Sequence, residues 1–284
     1  MKQSGQFYFV NNQILPAEEA SLLLNDLQLF RGYGVFDYFR THGGSPFLMD
    51  SYLQRFRLSG SRIGLSLELS DETLKSVINE LIVINGRRES GVRLLLTGGY
   101  SENIFTPGPP NLIIRIEKSV LPEEAFYSEG IKLISTEYLR DLPSVKTTNY
   151  FHAISLWPQV EAAGATELLY TWNGNVLECS RSNFFVVDNG VLITAPAGQV
   201  LSGITRARVL EISRELGIPV EERPVPLNIL NTCQEAFITG TTKRVMPVVK
   251  VDDQHIGNGK PGPVTLQLLN AWKKLEQENA VLQV

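Results

Sequence analysis

The alternation of apolar and polar positions divides the chain into short strands and a few amphipathic helices. "QFYFVNNQILP" alternates on both sides of Asn11-Asn12 and predicts a hairpin around an Asn-rich tight turn. "GVFDYFRTHGGSPFLMD" repeats that plan, with Gly43-Gly44 at the turn. "SYLQRFRLSGSRIGL" carries apolar residues at helical spacing and stops at Gly64. "SDETLKSVINELIVING" predicts a second helix, from a capping-box-like start to Gly86. "GVRLLLTGGY" and "PNLIIRIEK" read as strands of one antiparallel sheet.

The stretch "KSVLPEEAFYSEG", residues 118–130, loses the pattern and is expected to link an N-terminal α+β domain, 1–117, to a C-terminal domain, 131–284. Beyond it "IKLISTEYL" predicts a strand, and 147–164 a helix ending near Gly164. "ELLYTWNGNVLECSRSNFFVVDNGVLITAP" reads as three strands joined by "NGN" and "DNG" turns. "SGITRARVLEISRELGI" is a helix whose start is rich in Ser, Gly and Thr. "EAFITGTTKRVMPVVKVDDQHIG" returns to strand, and the last 20 residues form a polar amphipathic helix. The expectation is two α+β domains with a cleft between them, a common place for ligands.

Composition narrows the function. Of 284 residues 43% are hydrophobic and 20% charged, an ordinary soluble balance. The net charge of −4 argues against a nucleic-acid partner, which needs a basic surface. No run approaches the length of a membrane span, and the first residues lack the apolar stretch of a leader, so a cytoplasmic protein with no membrane partner is expected. Cys179 and Cys233 lie far apart, and His42, His152 and His255 are scattered, so no metal site is expected. Arginine outnumbers lysine, which suits an anionic substrate or cofactor.

Three features carry candidate chemistry. Lys146, in "SVKTTNYFHAI", stands where a helical pattern begins. The positive end of a helix dipole disfavours a cation there and suits a neutral amine, as would a nearby cationic arginine. Ser202-Gly203-Ile204-Thr205 occupies the first turn of a helix, where free N–H groups favour an anion, and "TGTTKR" offers a second such turn with Gly240, Thr241 and Thr242. Neither is a P-loop, and "GYGVFD" lacks the third glycine of a dinucleotide fingerprint. Glu178, among Val, Leu and Cys, is either an exposed edge residue or a carboxylate held against a protonated ring nitrogen. An amine, phosphate-binding turns and such a carboxylate together describe pyridoxal 5′-phosphate.

"KTTNY", "GNVLECSRSNFF", "LSGITRARVLE" and "ITGTTKRVMPVVKVDDQHIGNGKPGPVT" resemble the fold-type IV, or class IV, pyridoxal-phosphate aminotransferases, over about residues 20–270. That group includes branched-chain aminotransferases, D-amino-acid aminotransferases and aminodeoxychorismate lyases. The resemblance implies a small α+β domain followed by a larger barrel-like α/β domain, and a homodimer. It implies that Lys146 is the Schiff-base lysine and proton shuttle, and that Glu178 faces the pyridine nitrogen. Arg55, Gly203, Ile204, Thr205, Gly240 and Thr241 are implied for the phosphate, Leu201 for the ring and Tyr150 for the phenolate.

Substrate choice follows the pattern less closely. "SENIF" lacks the Arg-x-His pair of the usual D-amino-acid enzymes. Arg93 and Phe36 match the branched-chain enzymes, and Arg31 stands where those carry a tyrosine. The expected substrate-binding set is Phe36, Arg93, Thr242 and Arg31, the last reaching in from a neighbouring subunit as the resemblance implies, with Arg40 a third arginine of more structural character. The activity implied is transfer of an amino group between a branched-chain-like L-amino acid, or a D-amino acid, and a 2-oxo acid such as 2-oxoglutarate. The alternatives are a lyase that releases pyruvate and a non-catalytic binding protein, though the latter would not need Lys146 and Glu178.

Overall fold

A computed structural model describes residues 5–281. Residues 1–4, part of the stretch read for a leader, and 282–284, the end of the expected last helix, lie outside the described residues. The chain divides into two compact units, Met1–Ser119 with Val145–Asn149 and Glu276–Val284, and Val120–Ser144 with Tyr150–Leu275. The division is thus interleaved rather than a single cut within 118–130.

The first unit holds β1 (Phe7–Val10), β2 (Gln13–Pro16), α1 (Leu27–Arg31), β3 (Gly34–His42), β4 (Ser45–Pro46), α2 (Met49–Arg62), α3 (Asp71–Ile84), β5 (Ser90–Thr97) and β6 (Leu112–Lys118). Its six strands form an antiparallel sheet in the order β2-β1-β6-β5-β3-β4. The first hairpin turns on Asn11 and Asn12, both at positive φ, as a two-residue turn matched to strand twist requires. Ser70 caps α3, its Oγ accepting the Thr73 N–H at 3.2 Å. The sheet buries Phe39, Leu94 and Ile114, and α2 and α3 bury Leu53, Phe56, Leu74 and Ile78.

Residues 145–149 join this unit as a segment bridged to β3, correcting the helix expected from 147. Val35 bridges Thr147, the Phe36 N–H donates to Lys146 O at 3.0 Å, and the Thr148 N–H donates to Gly34 O at 3.1 Å. Backbone groups committed to β3 cannot also close helical turns. Lys146 therefore lies ahead of the next helix, Phe151–Ser155, and not in its first turn. Arg40 meets Glu276 at 2.7 Å with both side chains almost wholly buried.

The second unit holds α4 (Ala125–Ser128), β7 (Ile131–Glu137), α5 (Phe151–Ser155), α6 (Trp157–Ala162), β8 (Glu167–Trp172), β9 (Asn175–Cys179), β10 (Asn183–Asp188), β11 (Val191–Thr194), α7 (Ile204–Glu215), β12 (Val220–Glu222), β13 (Val225–Pro226), a 3₁₀ turn (Leu227–Asn231), β14 (Glu235–Gly240), β15 (Arg244–Val251), β16 (Gln254–His255) and the start of α8 (Pro263–Val281). The expected linker contains α4, whose Tyr127 is buried. The expected helix at 147–164 is two short ones, α5 and α6, broken at Leu156. Pro158 has no N–H to return to Ile154 O, which explains the break.

Four strands, not three, run from Glu167 to Thr194, because Ser180–Ser182 turns between β9 and β10. The Asn173-Gly174 and Asn189-Gly190 turns are at positive φ, as expected of "NGN" and "DNG". Strands β10, β14, β15, β7, β8 and β9 are paired in that order, and β9 returns to β10. The sheet thereby closes into a mixed barrel in which β15–β7 and β7–β8 are parallel. The closing pair is Glu178↔Asn183.

Glu276→Ala should leave the Arg40 charge buried without its partner, at a cost of about 3–5 kcal/mol. Urea unfolding of the variant against the wild type measures it, and a loss under about 1 kcal/mol would show that water reaches Arg40.

Candidate active site

In the second unit the barrel seam organises the polar groups. Glu178 is 5% exposed, which excludes the edge position considered for it. Its Oε1 accepts from Arg140 Nη1 at 3.1 Å, and its Oε2 accepts from the Leu201 N–H at 3.0 Å and from Asn183 Nδ2 at 3.3 Å. Arg140 Nη1 also donates to Pro143 O at 3.0 Å, and Asn183 Nδ2 to Leu201 O at 2.9 Å. A buried carboxylate is tolerable only when its oxygens are satisfied in this way. Arg140 and Asn183 are not among the candidates from sequence. Asn183 lies inside "SRSNFF", whereas nothing in "YLRDLP" marks Arg140 as the counterion.

The same asparagine packs against the start of α7. A Cβ added at Gly203 would fall well inside contact distance of Asn183 Oδ1, so only glycine fits there. Gly203 is the N-cap of α7 and no side chain caps the helix. The N–H groups of its first turn, with Ile204 and Thr205, are left for an anion. On the other side of the loop, Gly240 sits beside Ser182, at the head of the tight turn that carries Thr241 and Thr242. Lys243 closes that turn through an N–H to Gly240 O bond of 3.1 Å.

Lys243 also makes a buried ion pair that sequence reading missed. Its Nζ contacts Glu167 and donates to Ser182 Oγ at 2.9 Å. Glu167, with no exposed surface, further accepts from Ser180 Oγ and Ser182 Oγ, each at 3.0 Å, and from the Arg181 N–H. Burial pushes this carboxyl upward, but the Lys243 and Arg181 charges and these hydrogen bonds hold it below the usual carboxylate range. The cluster ties β8 to the 180–182 loop and to the 240–243 turn. Burial raises the Tyr150 phenol, despite the nearby Arg140 charge, so it remains a hydrogen-bond donor at neutral pH. Burial likewise raises the Cys179 thiol well above its ordinary range, which makes it an inert neighbour of Glu178.

In the first unit Lys146 is fixed by its main chain. Its N–H donates to Ser59 Oγ of α2 at 3.3 Å and its carbonyl accepts from Phe36. The half-buried amine lies 4.6 Å from the Phe36 ring centroid, and Arg93 Cζ lies 5.8 Å from the same centroid. Arg93 forms a two-pronged pair with Glu117, at 2.7 and 3.2 Å. Arg55 makes a buried bidentate pair with Asp37, at 2.6 and 2.9 Å. Arg31 ends α1 exposed, its Nε donating to Ile104 O at 3.1 Å. The structure thus groups Lys146, Phe36 and Arg93 in one unit, and Glu178, Leu201, Gly203 and Gly240 in the other.

These residues fit pyridoxal 5′-phosphate. The tightly packed Gly203 leaves uncapped N–H groups for a phosphate, and the buried carboxylate at the seam suits a protonated ring nitrogen. The fold is that of the fold-type IV enzymes. The profile of the Amino-transferase class IV family matches residues 34–251. The chain belongs to that family, whose members are pyridoxal-phosphate-dependent enzymes.

Among its relatives, a D-alanine aminotransferase of Bacillus licheniformis is 31% identical over 265 residues, covering 92% of this chain and 94% of the relative. A putative branched-chain-amino-acid aminotransferase of Methanocaldococcus jannaschii is 32% identical over 278 residues, covering 94% and 95%. Among solved structures, the branched-chain amino acid aminotransferase of Escherichia coli superposes with a TM-score of 0.88 at 26% identity, covering 95% of this chain and 94% of that one. A T.th. branched-chain amino acid aminotransferase with pyridoxamine 5′-phosphate gives 0.87 at 28% identity, covering 95% and 93%. Among the described residues no helix is long and apolar enough to cross a membrane, and no cluster of three or more His, Cys, Asp or Glu is placed to hold a metal.

Two outcomes are expected. Gly203→Ala should push Asn183 off Glu178 and Leu201, costing about 1–3 kcal/mol of stability in the apoprotein. It should also weaken pyridoxal 5′-phosphate binding in an absorbance titration. The second concerns acid. Glu167 has a folded value below its unfolded one, so its contribution is present above about pH 4.3 and is lost as pH falls through the folded value. Denaturant midpoints between pH 6 and pH 3 should therefore fall less steeply in Glu167→Gln than in the wild type.

Proposed function

We propose that this class IV aminotransferase exchanges the amino group between an amino acid and a 2-oxo acid such as 2-oxoglutarate, with a branched-chain-like L-amino acid as donor. The observation that carries the donor class is Phe36 lying against both Lys146 and Arg93, an apolar ring beside the reactive amine and a cation close by. Both residues match branched-chain enzymes, and the M. jannaschii relative and the E. coli structure carry that name. A D-amino acid is the second reading, supported by the B. licheniformis relative, although "SENIF" lacks an Arg-x-His pair.

Pyridoxal 5′-phosphate, when bound, supplies the carbonyl carbon that accepts the amino group and the pyridinium ring that takes up electron density. Lys146 Nζ carries the proton to and from the substrate α-carbon, from a main chain bonded to Phe36 and Ser59. Glu178, whose direction Arg140 and the Leu201 N–H fix, would supply the negative charge for the ring nitrogen. The first turn of α7 and the Gly240–Thr242 turn would hold the phosphate, and Arg55, Leu201 and Tyr150 would complete the cofactor-binding set. Thr242, Arg31 and Arg93 complete the substrate-binding set.

We further propose a cytoplasmic homodimer. In the first unit Leu24, Leu29, Phe30 and Phe105 are more than half exposed, a concentration of apolar surface that a second copy would cover. Cys179 and Cys233 are free thiols, in keeping with a reducing compartment.

Loaded with pyridoxal 5′-phosphate, the enzyme should change its visible absorbance with L-leucine or L-valine and release the matching 2-oxo acid. Lys146→Ala should lose at least about 100-fold in that rate. Full activity in this variant would end the mechanism, and a response to D-amino acids alone would replace the donor. Pyruvate release from aminodeoxychorismate without any acceptor would replace transamination by the lyase reaction.

A further inference from the structure

Two loops of the second unit meet at one buried carboxylate. Glu167 opens β8 and has no exposed surface. Its Oε1 accepts from the Ser180 hydroxyl at 3.0 Å and from the Arg181 N–H, both in the turn between β9 and β10. Its Oε2 accepts from the Ser182 hydroxyl at 3.0 Å and from the Lys243 ammonium. Lys243 also donates to Ser182 Oγ at 2.9 Å, so ammonium, hydroxyl and carboxylate close a triangle of hydrogen bonds. Arg181 Nε lies 3.8 Å from Oε1, but its side chain is half exposed, so it adds charge without direction. Lys243 belongs to the turn between β14 and β15 that carries Thr241 and Thr242, and its N–H donates to Gly240 O at 3.1 Å. Gly240 packs on the other loop: a Cβ there would stand 3.5 Å from Ser182 Oγ and 3.6 Å from Arg181 O.

For stability alone a buried ion pair is a poor choice, since apolar side chains of similar size fill such a position at least as well. What the pair adds is direction, because a charge-assisted hydrogen bond fixes both the distance and the angle of the groups it joins. Here each end is tied to a short turn. Lys243 adjoins Thr242, and Ser182 adjoins Asn183, the residue that donates to Glu178 and to Leu201 O. The Lys243 charge is neutralised by Glu167, so the pair acts through geometry and not as a free cation. We propose that Glu167 and Lys243 are positioning residues for the cofactor phosphate, clamping the Gly240–Thr242 turn to the 180–182 loop so that its donors need no reordering when the anion arrives, an inference that rests on reading that turn as part of the phosphate cradle.

The test compares pyridoxal 5′-phosphate with pyridoxal, which lacks the phosphate, each titrated by absorbance into the full chain freed of cofactor. The wild type should prefer the phosphorylated form. The readout is the ratio of the two affinities, in which effects on the ring, the aldehyde and overall stability cancel. Glu167→Gln and Lys243→Met should each lower that ratio about tenfold, the scale of one charge-assisted hydrogen bond lost from the cradle. The double variant should lower it no further than either single one, because all three remove the same clamp. It leaves no buried charge without a partner, so it should keep its fold even where a single variant does not. An unchanged ratio in the double variant would overturn the inference. So would a rise in Glu167→Gln, which would mean that Lys243 acts on the phosphate as a charge. Unfolding of the double variant, seen by circular dichroism, would overturn it too, since the pair would then hold the barrel and not the turn. A wild type that binds both forms alike would be a different failure: it removes the phosphate reading of the turn, and the clamp with it.

Discussion

The second unit depends on satisfying one buried carboxylate. Glu178 occupies the residue pair that returns β9 to β10, so the barrel cannot close without taking that carboxyl out of water. Isolated, it would be costly. The chain answers with donors from three places: a side chain from the 140–143 segment, a side chain across the seam, and a backbone N–H at Leu201. Each donor fixes the segment that supplies it. Closing the barrel, directing the carboxylate and positioning the entrance to α7 are consequently one packing problem. Gly203 shows how tight the solution is, since its missing side chain is the room that Asn183 uses.

The first unit solves a different problem by different means. Here the main chain, not the side chain, fixes a lysine in place. Lys146 is anchored through its backbone, which is hydrogen-bonded to β3 and to Ser59, while its side chain lies over an aromatic ring. The arginines of this unit are fixed instead through their side chains. Arg40, Arg55 and Arg93 each have a carboxylate partner within 2.7 Å. Carboxylates thus orient the permanently charged guanidiniums, whereas main-chain bonds set where the lysine stem starts.

What was legible in the sequence is what local chemistry determines. The Asn and Gly turns, the capped helix at Ser70 and the glycine-led start of α7 are all set by a few neighbouring residues, and they lie where the sequence places them. Lys146 is singled out by a helix start that the structure does not place there, whereas Glu178, a carboxylate in an apolar stretch, is buried as its surroundings imply. What was not legible depends on distant partners. Residues 147–150 carry a plausible helical pattern, yet Thr147 and Thr148 are committed to a strand more than a hundred positions earlier. Arg140 reads as a turn residue until the barrel brings Glu178 to it, and Glu167 as a strand end until Lys243 arrives from β14's far end.

Substrate recognition illustrates the same limit most sharply. In the sequence Arg31 and Arg93 look like two cations available to a carboxylate, a reading that counts charges and not partners. In the fold Arg31 donates to Ile104 O, and Ile104, a β-branched residue, adopts a φ of 58°. That backbone conformation is unfavourable for such a side chain and persists only where neighbours impose it. The neighbours are visible: Asn103 Oδ1 accepts the N–H groups of Phe105 and Thr106, and the Ser101 N–H is held by Asn25 O. The loop that distinguishes this chain from the Arg-x-His enzymes is therefore not an empty version of theirs. It is a separately braced turn, and Arg31 is one of its braces, so the cation that the sequence offers to a carboxylate is already engaged by the chain's own backbone.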